Sequence, residues 1–114
     1  MGSKMKEDLL FELGTYVLCL LLTAFLWHRP TFLTVCYIVI SLIVFLKWHK
    51  KSDLFFYVVA FVLGPLGESV AVYFGAWEYS KPFYLIPLWL PFLWGISALF
   101  VKNLSETLLK SKNK

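Results

Sequence analysis

The chain has 114 residues, of which 60% are hydrophobic and 16% charged, with a formal net charge of +4. Soluble domains are usually about 45–50% apolar and about 25% charged, and one of this length could not bury the excess, whereas a bilayer covers it. The basic residues sit in turns and tails and form no basic face interleaved with aromatics, so composition excludes a nucleic-acid reading.

Residues 1–8 are polar and mixed in sign. Glu7, Asp8 and Glu12 spoil the basic start of a signal peptide, and no small-x-small cleavage site follows the apolar run. Lys6 stands where a myristoylation pattern needs Ser or Thr. The first span is predicted at 9–27. Glu12, Tyr16, Cys19 and Thr23 fall at i, i+4, i+7 and i+11, one polar face expected to point at other helices. Glu12 lies within a turn of the start, where its side chain is expected to snorkel to the headgroups.

His28-Arg29-Pro30 makes a very short turn, and Pro30 stops the first helix or opens the next. So short a link makes the first two helices antiparallel neighbours. The second span is predicted at 31–48, with Thr34, Tyr37 and Ser41 on one face. Trp27 and Trp48 are expected in interfacial aromatic belts. Residues 49–53 form the second turn.

The third span, predicted at 54–77, carries the most informative residue. Glu68 lies within about 5 Å of the middle of that span at the helical rise. A carboxylate at that depth costs about 2.5–3.5 kcal/mol or more, so it is expected to face protein or a wet cavity. Gly64, Glu68, Ala71 and Gly75 form one narrow stripe, and the small residues would let a neighbouring backbone approach. Pro65 predicts a kink that frees the Phe61 carbonyl near the acid.

Trp77, Tyr79 and Tyr84 fit an interfacial belt around the third turn. The fourth span is predicted at 83–101. Pro87 and Pro91 give it an irregular start. The indoles of Trp89 and Trp94 need hydrogen-bond partners inside the bilayer, and Glu68 is a candidate for one of them. Residues 102–114 form a basic tail, of which 105–110 can continue the helix.

The fold class is therefore all-α: one polytopic membrane domain over residues 1–114, with four transmembrane helices in an up-down bundle. Lys and Arg number nine on one side (Lys4, Lys6, Lys47, Lys50, Lys51, Lys102, Lys110, Lys112, Lys114) against two on the other (Arg29, Lys81). The positive-inside rule then places both termini in the cytoplasm, across the inner membrane if the source is bacterial. Cys19 and Cys36 fall inside spans, away from an oxidising face, so no disulfide is expected. No metal-ligand spacing, no Gly-rich phosphate loop and no nucleophile–base pattern is present, so no metal and no cofactor is expected.

The segments Glu68-Ser69-Val70-Ala71, Gly75-Ala76-Trp77-Glu78-Tyr79 and Ile86-Pro87-Leu88-Trp89-Leu90-Pro91-Phe92-Leu93-Trp94 carry a resemblance. Together they resemble a group of uncharacterised bacterial four-span inner-membrane proteins, with an acid in the third span and a Pro-x-Trp run in the fourth. More distantly, the stretch is similar to the lycopene cyclase domain of carotenoid biosynthesis. That domain has two glutamates after Pro-Leu, where this chain has Trp89 and Leu90, so Glu68 alone carries over as a candidate acid. The resemblance implies a related fold with a pocket for a long apolar molecule.

Three functional readings follow. The first is a lipid- or isoprenoid-binding membrane protein, with Glu68 as proton donor or polar anchor. Its ligand-binding set is Gly64, Glu68, Ala71, Gly75, Trp89, Trp94, Tyr16 and Tyr37. The second is a small oligomeric, proton-coupled transporter or channel. The third is a non-catalytic scaffold subunit, packing through Gly64, Ala71 and Gly75 against a membrane-protein partner or a second copy.

Overall fold

The computed structural model describes residues 3–79, 82 and 85–112. Four helices follow in chain order: α1 Ser3–Leu26, α2 Pro30–Lys47, α3 Lys51–Tyr73 and α4 Leu90–Lys112. Three of them, α1, α2 and α3, are long and apolar enough to cross a membrane. Their outward faces leave side chains such as Leu10, Phe25, Leu46 and Phe55 at least 70% exposed, a surface that only lipid or a protein partner would cover. The chain is built as a membrane protein.

Most boundaries follow from local chemistry. Pro30 opens α2, where its missing N–H costs nothing. At the start of α3, Asp53 accepts a hydrogen bond from the Lys50 backbone N–H at 3.1 Å and closes the first turn. The helix runs through Pro65 and ends four residues earlier than the sequence reading expected. Gly75, at φ +86°, is the reason. Its N–H donates to the Val72 carbonyl at 3.0 Å, and the Ala76 N–H to the Ala71 carbonyl at 2.9 Å. This paired closure needs a left-handed residue just past the helix, which glycine supplies without strain. Gly75 is thus a helix stop, exposed in the turn, and not part of a packing stripe.

The fourth helix departs most from expectation. It starts at Leu90 rather than 83 and continues to Lys112. Proline favours the late start: Pro91 lies in the first turn of α4, where its missing N–H costs nothing, and Pro87 stays outside the helix. The Leu90 N–H instead closes on the Pro87 carbonyl at 3.2 Å. Because α4 takes in the basic stretch after Val101, it is not among the helices apolar enough to cross a membrane. It is nonetheless the hub, packing on α1, α2 and, most extensively, α3.

Glu12 near the start of α1 meets Thr107 near the end of α4, and Asp53 at the foot of α3 meets Lys102. Both ends of the described chain therefore lie at one end of the molecule. The molecule measures 47 × 24 × 23 Å, longer than a hydrocarbon core of about 30 Å. The core joins Leu33, Tyr37, Ile40 and Val44 of α2 to Trp89, Ile96 and Leu99.

Two expectations about interfaces are corrected here. Glu12 does not snorkel: it is 2% exposed, because α4 runs past its expected end and covers it. Trp48 is buried, edge-on to Phe11 at 5.2 Å between ring centres, rather than sitting in a belt. Trp27 is exposed beside His28. Lys81 and Tyr84 lie outside the described residues.

Candidate functional site

Glu68 projects from the last two turns of α3 towards the start of α4. Both carboxylate oxygens are engaged. The Trp94 indole N–H donates to Oε2 and the Tyr79 hydroxyl donates to Oε1. Trp94 is thus the tryptophan of the fourth helix that reaches the acid. It can do so because Gly64, one turn before Glu68, carries no side chain. A Cβ at Gly64 would overlap the indole, so the ring lies directly against the α3 backbone. Gly95 does the same in reverse, receiving the Tyr57 ring of α3 on the backbone of α4. The two helices exchange one aromatic ring for one glycine in each direction.

Tyr79 enters from the segment that follows the Gly75 turn. Burial and the adjacent carboxylate push its phenol up to about 12, so it remains an O–H donor at any ordinary pH. Its ring stands edge-on to Trp89 at 6.4 Å between centres. Trp89 in turn is 6 % exposed and lies 6.1 Å from the Tyr37 ring. Beside Glu68 opens a cavity of about 360 Å³ walled by Tyr79, Trp89, Leu90, Leu93, Trp94 and Ser97. That volume falls in the range of about 300–1,000 Å³ typical of small-molecule sites, which combine apolar walls with a few placed polar groups.

The residues expected to form one ligand set are spread over three places. Glu68, Trp89 and Trp94 line the cavity, and Gly64 seats the Trp94 ring. Ala71 is half-buried on α3, and Gly75 lies in the exposed turn. Tyr37 is wholly buried behind Trp89, hydrogen-bonded to the Thr23 hydroxyl and, at 3.0 Å, to the Cys19 carbonyl. Tyr16 stacks on Phe100 at 5.0 Å and lines a separate cavity of about 190 Å³ between α1 and α4. Four cavity residues were not in the set: the aliphatic Leu90 and Leu93, and the polar Tyr79 and Ser97. Tyr79 had a readable signal, since a helix-stopping glycine at Gly75 turns the chain back over Glu68. Ser97 had one in its spacing from Trp94, one turn along the same face.

Chemically, the cavity offers one carboxylate fixed by two neutral donors, with no cation paired to it among the described residues. A carboxylate has about four acceptor positions, so two remain for a donor or a proton from a bound molecule. Among the described residues no group of His, Cys, Asp and Glu could hold a metal ion. Cys19 and Cys36 are free thiols. No curated protein and no solved structure matches the chain. A family model does match, over residues 7–112, and the chain therefore belongs to the DUF2878 family of proteins of unknown function.

Proposed function

We propose that this protein holds a lipid- or isoprenoid-like apolar molecule in the cavity beside Glu68, with the carboxylate as its polar anchor or proton donor. One observation carries the reading: an acid held by neutral donors forms the polar point of an otherwise largely aromatic and aliphatic cavity inside a membrane protein. The resemblance of residues 68–94 to the lycopene cyclase domain supports the same ligand class. The test is native mass spectrometry of the gently extracted protein, wild type beside Glu68→Gln. A discrete apolar molecule retained by the wild type and lost from the folded variant is the expected result. A wild type that retains nothing would overturn the reading.

A scaffold role, with Glu68 as a structural acid, is favoured by a different observation: both carboxylate oxygens are already engaged, by Trp94 of α4 and by Tyr79. On that reading Glu68→Gln lowers the unfolding temperature without displacing any ligand. The positive-inside count supports placing both termini in the cytoplasm. A reporter fused at the C-terminus and active only outside the cytoplasm would reverse that orientation.

A further inference from the structure

A second, larger hollow adjoins the Glu68 cavity. It is an open groove of about 770 Å³ between α3 and α4, and Trp94 and Ser97 line both spaces. On α3 it follows Ser52, Phe56 and Ala60, an i+4 row that continues through Gly64 to Glu68. Its depth comes from small residues, Ala60 on one helix and Ala98 on the other.

The polarity of the groove is graded. One end holds Ser52, Ser105, Lys102 and Glu106, and the other holds Trp94. From Ser52 to Gly64, where Trp94 is seated, α3 rises about 18 Å. One leaflet of a bilayer has a hydrocarbon depth of about 15 Å, half of about 30 Å. The apolar stretch of α3 starts at Leu54, so the polar end of the groove falls at the membrane surface and Trp94 near the midplane. At the polar end, Lys102 Nζ is already held by Asp53 at 2.8 Å and Glu106 at 3.2 Å. Lys102 is the one cation among the described residues that line the groove, so the lining itself holds no free positive charge for an anionic head. Two serines and a Glu106 side chain 41% exposed suit a head that carries a positive group of its own.

Resting on the apolar-ligand reading above, we infer that the groove takes one chain of a zwitterionic membrane lipid, head at Ser52 and Ser105, with the chain end reaching past Trp94 into the Glu68 cavity. The acid then meets the far end of the chain and not its head. Trp94 is the partition that the chain passes.

The experiment uses the full chain in phosphatidylcholine nanodiscs doped with a phosphatidylcholine that carries a photoreactive diazirine. In one probe the diazirine sits at the chain end, in the other beside the ester. Chain-end label is expected on Glu68 and on 93–97, and ester-proximal label on 52–56 and 101–106. Ala98→Leu, which fills the groove floor, should lose both labels while the helix content is unchanged. The inference is overturned if the two probes exchange positions. It is also overturned if label falls as heavily on the outward faces of α1 and α2, the pattern of bulk lipid. A discrete molecule retained through Glu68, with no label in the groove, would overturn this inference and leave the cavity reading standing. Failure to retain any molecule would remove both.

Discussion

Asp53 and Glu68 stand near opposite ends of the same helix and are partnered in opposite ways. Asp53 is 1% exposed and paired with a cation. It accepts from Lys102 at 2.8 Å, from Asn103 at 3.3 Å and from the Lys50 backbone at 3.1 Å. Glu68 has only two neutral donors and opens on a cavity. An acid with three donors, one of them a cation, has its charge compensated and holds α3 to α4. An acid with spare acceptor positions beside empty space is arranged to meet something else. The two acids differ in burial and in the kind of partner: Asp53 is enclosed beside a cation, while Glu68 is partly exposed between two neutral donors.

The sharpest way to break that contrast is to remove each acid in turn. Asp53→Ala should destabilise the protein by about 3–5 kcal/mol, because it strips a buried cation of its main partner. It would be read as an unfolding shift in detergent. Glu68→Gln should change stability by less than about 1 kcal/mol, since the amide oxygen still accepts one hydrogen bond. Equal losses in the two variants would erase the distinction.

Acid titration tests the same point. Burial alone would raise the Asp53 carboxyl, but hydrogen bonds from Lys102, Asn103 and the Lys50 backbone hold it below its ordinary value of 3.8. A depressed folded value means that the stability Asp53 contributes is complete above 3.8 and is lost as the pH falls through the folded value. Lys102 has the opposite sign. Burial would lower it, yet Asp53 and Glu106 raise it above 10.5, so its contribution is complete below 10.5 and fades at higher pH. Melting temperatures should therefore show a plateau between these limits. The acid limb should be shallower in Asp53→Asn, and an unchanged limb would mean that another group controls it.

Gly64→Ala sharpens the comparison from the other side. The new Cβ must push the Trp94 ring off α3, at about 1–3 kcal/mol for overpacking. It should also lower ligand retention, which no change around Asp53 should do. Trp94→Phe tests a single contact. It keeps an aromatic ring on Gly64 and removes only the N–H that reaches Glu68, a loss of about 1.5 kcal/mol for a bond to a charged group. A variant that retained ligand as well as the wild type would show that this donor does not orient the acid.

The sequence made the helices legible because three apolar runs are separated by polar turns, and Pro30 and the Lys50–Asp53 stretch mark their starts. It also made Glu68 legible, since a carboxylate in an apolar run has few places to go. The fourth helix was misread because hydropathy follows the apolar run from 83, whereas the backbone obeys Pro87 and Pro91. Glu12 was misread for a different reason: its position near the start of α1 suggested the headgroups, whereas its partner, Thr107, lies 95 residues away in the continuation of α4. Tyr79 was assigned to the membrane surface because its role depends on a turn three-dimensionally folded back by Gly75, not on any periodicity.

The hub position of α4 also bears on how the chain is assembled. A helix with Lys102, Asn103, Glu106 and Lys110 gains little by partitioning into lipid alone. Its docking depends on helices that are already in place, through the Gly64 seat on α3 and the Asp53 pair. Biogenesis should then run in two stages: α1–α3 insert on their own hydropathy, and α4 follows by docking. Until it does, Asp53 and Glu68 are both without their partners on α4, Lys102 and Trp94.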